Sequence, residues 1–312
     1  MSKNGISSSG AAVIQIRDLS KSYSRGGALA LNRLSLDVMQ GEIFGYLGPN
    51  GAGKSTTIRI LMDLIRPTSG EAKVFGMDAR EHAVEIHKRV GYIPGELNLW
   101  PSQTGAAIAR YFGAVHGGVD GAYVQQLAKR LELDLSLRMR QYSTGNKRKL
   151  GLLLAMMHQP DLLILDEPTS GLDPLMQQIF NDLMREWRAA GRTVFLSSHV
   201  LSEVQAICDR VAIIRGGILQ EVDRVEKLTH ADFRWVNLTF RAAVPAAMFS
   251  GVQGITDVEA DGARVKLRVT GDFDPVIRAI GAEYVVDMTV SEPSLEEIFL
   301  AFYGEKSPSV AQ

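Results

Sequence analysis

The chain has 312 residues, a formal net charge of -1 and a single cysteine, Cys208. That length can bury a sizeable core as one large domain or two smaller ones. Lone Cys208 excludes an internal disulfide and fits a reducing compartment, and a charge near zero gives no electrostatic case for nucleic acid. The longest apolar run, LGLLLAMM at 150–157, is far short of the roughly 18–20 residues that span a bilayer.

Residues 1–11 begin MSKNGISSSG, without an apolar signal core, and read as a mobile tail. AVIQIRDL and LSLDV have strand character, and EIFGYLG reads as a buried strand ending in glycine. GKSTTIRILMDLIRP reads as a helix stopped near Pro67. EAKVFG and RVGYIPG are further short strands. From about 103 to 158 the pattern is helical, inside an insert of about 96–160. LLILDEP returns to a buried strand, PLMQQIFNDLMREWRAAG to a helix ended by glycine, TVFLSS to a strand and VLSEVQAICD to a helix. A hairpin turns at Gly216-Gly217. The expected core is α/β, with an antiparallel lobe before it and the helical insert within it. The pattern resets after about 232. Residues 233–312 read as a small α+β domain of order βαββαβ, with a hairpin turn at Asp261-Gly262. A final SLEEIFLAFYG starts like a capping box, Ser294 to Glu297.

GPNGAGKS at 48–55 matches G-x-x-x-x-G-K-[ST], and it stands between a predicted strand and a predicted helix. Glycines let the backbone wrap an anion with its N–H groups turned inward, and the helix N-terminus adds the positive end of its dipole. In that setting Lys54 reaches the β- and γ-phosphates and Ser55 ligates Mg²⁺. LLILDEP ends its apolar strand on Asp166 and Glu167. Asp166 at a strand tip can orient Mg²⁺ through its waters. Glu167, one residue on, is expected on the other side of the strand, where it can take a proton from an attacking water. His199 follows TVFLSS and is placed to hydrogen-bond a γ-phosphate, because strand ends in such a sheet converge on the ligand crevice.

With these residues the chain resembles the ATP-binding subunit of an ABC transporter over about residues 12–232. Tyr23 looks like the aromatic residue that stacks on adenine. Gly48, Pro49, Asn50, Gly51, Ala52, Gly53, Lys54, Ser55 and Thr56 look like the Walker A loop, and Asp166 and Glu167 like the Walker B pair. SGLDP at 170–174 looks like the D-loop and His199 like the switch histidine. YSTGN at 142–146 stands where the family carries its signature turn, so Ser143 and the amides around Gly145 offer donors to an anion. The resemblance implies that this anion is the γ-phosphate held by a second copy or a homologous subunit. Two chains then close head to tail over two ATP, each with Mg²⁺. It further implies a cytoplasmic subunit, peripheral on the inner face of the cell membrane, that drives a separate transmembrane permease.

The pattern departs from the family at three positions. Thr144 replaces the first signature glycine, and its Cβ would be strained in a left-handed backbone. Asn146 replaces the glutamine. Gly95 stands where a Q-loop glutamine belongs, with Glu96 either substituting for it or leaving that link altered. Lys147, Arg148 and Lys149 either deepen the positive field at the turn or line a solvated helix face. Trp100 is either part of the surface that receives a coupling helix or a core aromatic. The C-terminal unit resembles the extension of drug and antibiotic export ATPases, as a dimer-steadying or ligand-sensing module. The alternatives to an export ATPase are a soluble ABC ATPase and a non-catalytic ATP-dependent regulator.

Overall fold

The computed structural model describes residues 11–24, 26–229 and 233–291. The chain divides into two compact units between Asp223 and Arg224, ahead of the pattern reset near 232.

In the first unit, β1 (Ala12–Ser22) and β2 (Leu29–Met39) pair antiparallel. Burial alternates along β2 from Leu34 to Met39, as in a sheet with one wet face; along β1 register shifts interrupt the alternation, and Val13 with Ile14 and Leu19 with Ser20 are buried as neighbours. β3 (Ile43–Leu47) is buried at every position and leads through a glycine-rich loop into α1 (Lys54–Leu61). This helix ends well before Pro67, because Asp63 turns left-handed at φ 50° and the amides of Leu64 and Ile65 both bond back to Arg59 O. β4 (Ser69–Val74) and β5 (Met77–Asp78) complete an antiparallel sheet of order β2-β1-β4-β5.

After α2 (Ala83–Arg89) and β6 (Val90–Ile93) comes the helical insert: α3 (Gly105–Val115), α4 (Gly121–Arg130), a 3₁₀ turn at Met139–Gln141 and α5 (Thr144–Met156). Thr104, Asp120 and Ser143 cap α3, α4 and α5 by accepting first-turn N–H bonds, each of which satisfies an otherwise orphaned donor. The chain then runs through β7 (Leu162–Asp166), α6 (Pro174–Ala189), β8 (Thr193–Ser198), α7 (Leu201–Ile207), β9 (Arg210–Arg215) and β10 (Ile218–Arg224). The β9–β10 turn has Gly216 and Gly217 at φ 56° and 76°, the left-handed pair a type I′ turn requires.

The second sheet has the order β10-β9-β3-β8-β7-β6. β3 runs parallel to β8 and β9, and β7 parallel to β6 and β8. Ile14, Ile16, Leu34 and Leu36 of the antiparallel sheet share one core with Phe44 and Tyr46 of β3 and Ile58 and Leu61 of α1. Parallel strands bring their carboxyl ends to one edge. The loops after β3, β6, β7 and β8 therefore open together; they carry the 48–53 loop, Gly95, Glu167 and His199, whereas Tyr23 follows β1 and Ser143 and Gly145 open α5.

The second unit comprises α8 (Val225–Thr229), β11 (Phe233–Phe240), a 3₁₀ turn at Ala246–Phe249, β12 (Ile255–Asp261), β13 (Arg264–Thr270), α9 (Asp274–Ala279) and β14 (Val285–Ser291). Its antiparallel sheet has the order β12-β13-β11-β14. Val236, Leu238, Leu267 and Val269 pack with Phe249 and Val276. The expected βαββαβ order is present, with the first helix reduced to a 3₁₀ turn. The hairpin turn sits one residue later than expected. Asp261 pairs with Arg264, so the turn residues are Gly262 and Ala263, and only Gly262 has positive φ (58°). Glycine first and an ordinary second residue is the type II′ solution. The SLEEIFLAFYG segment lies outside the described residues.

Candidate active site

The loop between β3 and α1 is fixed by its glycines for separate reasons. A Cβ on Gly48 would meet Ile214 O at 2.3 Å, and one on Gly53 would meet Ala30 O at 2.6 Å. Gly51 and Gly53 have φ of 79° and 109°, a region open chiefly to glycine. Pro49, Asn50 and Gly51 are exposed, Ala52 and Gly53 are buried, and Ser55 and Thr56 are half-buried. Gly53 caps α1 without any side-chain hydrogen bond, so the first-turn amides are left for a ligand. Lys54 folds back inside the loop, its buried Nζ donating to Gly48 O at 2.6 Å and Pro49 O at 3.3 Å.

That same Nζ lies 3.2 Å from Glu167 Oε1. The other oxygen of Glu167 is 2.7 Å from His199 Nδ1. A carboxylate only accepts, so Nδ1 carries the hydrogen and Nε2 faces away from this bond. Three groups from three loops thus meet in a line: ammonium, carboxylate, imidazole. The strand-alternation argument for Glu167 does not hold, because β7 ends at Asp166 and Glu167 itself is left-handed at φ 51°. Such a backbone costs about 1–3 kcal/mol and persists where its surroundings enforce it. Here the Glu167 N–H donates to Ser197 Oγ at 3.1 Å, while Ser197 Oγ–H donates to Asp166 Oδ1 at 2.6 Å. Ser197 is wholly buried on β8, directly opposite Asp166. The sequence reading passed over it; its only signal is a small polar residue closing an apolar strand beside His199.

The turn at 143–145 opens α5. Ser143 Oγ accepts from Asn146 N–H at 3.2 Å, which leaves the hydroxyl hydrogen free to donate. Thr144 is the first helical residue and has no left-handed backbone, so the expected strain is absent. Gly145 is required by packing, since its Cβ would stand 2.9 Å from Gly171 O. The SGLDP segment therefore lies against this turn, and its Asp173 caps α6 by accepting from Met176 N–H at 2.9 Å. The basic run is not a solvated face: Lys147 is half-buried, and Arg148 and Lys149 are buried.

Gly95 lies against Asp166, where a Cβ would come within 3.1 Å of Oδ2. Glu96 is exposed and makes no hydrogen bond or ion pair among the described residues. Trp100 is exposed rather than core and meets Tyr111, also exposed, edge-on at 5.1 Å. Tyr23 is exposed as well, with its hydroxyl 3.2 Å from Thr56 Oγ1 at the first turn of α1.

Among the described residues no cluster of three or more His, Cys, Asp or Glu side chains could hold a metal by itself. Oxygen donors of the kind present here are what Mg²⁺ arriving on a nucleotide takes. That ion takes one or two protein oxygens and completes its shell with waters and phosphate, and Asp166 Oδ2 with the Ser55 hydroxyl would supply that share. Among the described residues no helix is long and apolar enough to cross a membrane.

Comparison with known proteins agrees with this geometry. The sequence profile of the ABC transporter family matches residues 31–170. The chain is 34% identical to the bacitracin transport ATP-binding protein BcrA of Bacillus licheniformis, over 94% of this chain and 97% of that protein. It is 31% identical to a fluoroquinolones export ATP-binding protein of Mycobacterium tuberculosis, over 95% of each. Among solved structures, an ATP-binding subunit of an ABC transporter superposes with a TM-score of 0.64 at 28% identity, covering 69% of this chain and 91% of that one. A bacterial Atm1-family ABC exporter with ATP bound gives 0.62 at 25% identity, covering 69% and 39%. These relatives give no support to a soluble ABC ATPase or a regulator without a transport role. A kinship that runs through nearly the whole length, carried on a strand edge shaped for a triphosphate, makes this chain a member of the ATP-binding subunits of ABC transporters, of bacterial export type, and an ATPase.

Proposed function

We propose that the chain is one half of a head-to-tail pair that closes over two Mg-ATP and drives a separate membrane permease from its inner face, exporting an antibiotic-like cargo. The observation that carries this reading is the contact of Lys54 with Glu167, and of Glu167 with His199. It joins a phosphate-binding cation to a base and to the group that orients that base.

The geometry supports the following roles, and the family resemblance that of Tyr23. The amides of residues 50–55 and Lys54 take the charge of the β- and γ-phosphates, and Tyr23 stacks on the adenine. When the Lys54 ammonium turns to phosphate, Glu167 Oε1 is released to accept a proton from the attacking water. His199 holds Oε2 and keeps the carboxylate aimed. Ser55 and Asp166 would hold Mg²⁺, which would supply positive charge against the phosphates. Ser143 and the amides at Gly145 present donors on the surface of α5, where the partner copy's γ-phosphate would meet them. Loss of that phosphate removes the bridge, so ATP and ADP favour different arrangements of the pair. The exposed Trp100 and Tyr111 are the surface offered to the permease, and the C-terminal unit steadies the pair.

The test is hydrolysis by the purified chain together with affinity capture from detergent-solubilised membranes. Hydrolysis should stop when EDTA removes the divalent cation. A tagged chain should retain a multi-span integral membrane protein. Turnover that is indifferent to EDTA would contradict the metal's role, and capture of nothing but the chain itself would contradict the permease.

A further inference from the structure

Arg148 stands out among the buried groups that the reaction does not use. It lies one turn into α5, the helix that begins at Ser143, and is 8% exposed. Its guanidinium spans two other elements. Nη1 donates to Pro94 O at 2.9 Å and Nη2 to Gly95 O at 2.6 Å, both in the loop after β6. Nη1 also reaches Asp166 O, at the end of β7, at 3.4 Å. Every one of these acceptors is a backbone carbonyl and none is a carboxylate. Burial pushes the guanidinium's pKa down, and the nearby charges of Asp166 and Glu167 work against that.

A buried cation without a paired carboxylate is an expensive way to fill space, since an apolar side chain of the same length would pack there more cheaply. What the charge adds is a rigid planar fork that can bind two successive carbonyls at once, which a lysine's single ammonium cannot reproduce. Gly95 itself carries no side chain, and its backbone passes close against Asp166 Oδ2. Arg148 is thus the side chain that hydrogen-bonds both this loop and the end of β7.

We propose that Arg148 is a positioning residue that locks the Ser143 helix, the 94–95 loop and the Asp166–Glu167 carboxylates into one register. The donor turn that meets the partner's phosphate and the base that cleaves its own nucleotide then move together. This rests on the paired-subunit reading above. Among the described residues Arg148 makes no hydrogen bond to the Lys54 loop, so it governs turnover rather than capture of ATP.

The experiment compares the full-length chain with Arg148→Met and Arg148→Lys, measuring ATP affinity, kcat per folded molecule and thermal melting. The Met variant should bind ATP within about twofold of the parent and lose about tenfold or more in kcat, the scale set by misplacing reacting groups by a fraction of an ångström. The Lys variant should recover only part of that loss, because it keeps the charge and lacks the fork. A residue that only supports the fold would lower the melting temperature and leave kcat per folded molecule intact. That result in the Met variant would overturn the proposal. Should the Met variant not fold, wild-type kcat in the Lys variant would do the same. Glu167→Gln with Arg148 intact is the control: if it fails to pair in ATP, the paired-subunit reading has failed, whatever Arg148 does.

Discussion

The site has two halves built in opposite ways. The phosphate loop, residues 48–56, is one contiguous stretch between a strand and a helix. The carboxylate cluster draws Asp166 from the end of β7 and Glu167 from just past it, Ser197 from β8 and His199 from the loop after it, Gly95 from the loop after β6 and Arg148 from α5. The first half depends on local backbone shape. The second depends on four elements arriving in register, and a change in one member shifts the others. The loop should therefore fail through binding, and the cluster through turnover at nearly constant binding.

The largest expected effect tests the cluster. Glu167→Gln keeps the shape and removes the base, and should cut kcat by about 10²–10⁴ with ATP affinity retained in a nucleotide-binding titration. Wild-type turnover would remove Glu167 from its role. Lys54→Ala is the counterpart in the loop and should lose ATP affinity outright. Equal affinity for parent and variant would break the comparison at its simpler end.

Ser197→Ala comes next. It strips Asp166 Oδ1 of a buried donor and leaves the Glu167 N–H unpaired, a defect worth about 1–3 kcal/mol. That predicts roughly 10–100-fold slower turnover with ATP binding little changed; a fall in binding instead would place Ser197 with the loop. Gly145→Ala puts a methyl 2.9 Å from Gly171 O and should weaken the nucleotide-dependent pairing while sparing ATP binding by the single chain. Pairing of parental strength in sedimentation would contradict the close packing of the turn.

The smallest effect concerns a half-buried histidine bonded to the start of β6. His158 Nε2 lies 3.2 Å from Val90 O, and its ring stacks on that of His116 with centroids 3.8 Å apart. Burial, with His116 beside it, lowers the His158 pKa from 6.5 to about 4. The folded state therefore binds fewer protons than the unfolded chain between those values, and stability falls as pH drops through that window. Part of His158 is exposed and solvent screens it, so the loss is modest. Melting curves at pH 7 and pH 5 should differ more for the parent than for His158→Gln.

Much of this was legible in the sequence, and the two halves differ in how. The loop could be read because its glycines, Lys54 and Ser55 are neighbours, a continuous apolar run precedes them and a helical pattern follows. Asp166, Glu167 and His199 could be read because each closes or follows an apolar strand. Ser197 and Arg148 could not, since what matters is which partner faces them across the sheet. The expected tension at Thr144 vanished because that residue is already helical, and the helix after the loop ended early at a left-handed Asp63. Glu167 failed the alternation rule for a similar reason: it lies just past the strand, in a conformation that its amide bond to Ser197 supports.

The most direct measurement is sedimentation equilibrium of the full chain carrying Glu167→Gln, with and without saturating Mg-ATP, and again with Ser143→Arg added. The account predicts that nucleotide drives pairing, and that Ser143→Arg abolishes it while each chain still binds ATP. A Glu167→Gln chain saturated with nucleotide that remains single, or pairs equally well with Ser143→Arg, would contradict it.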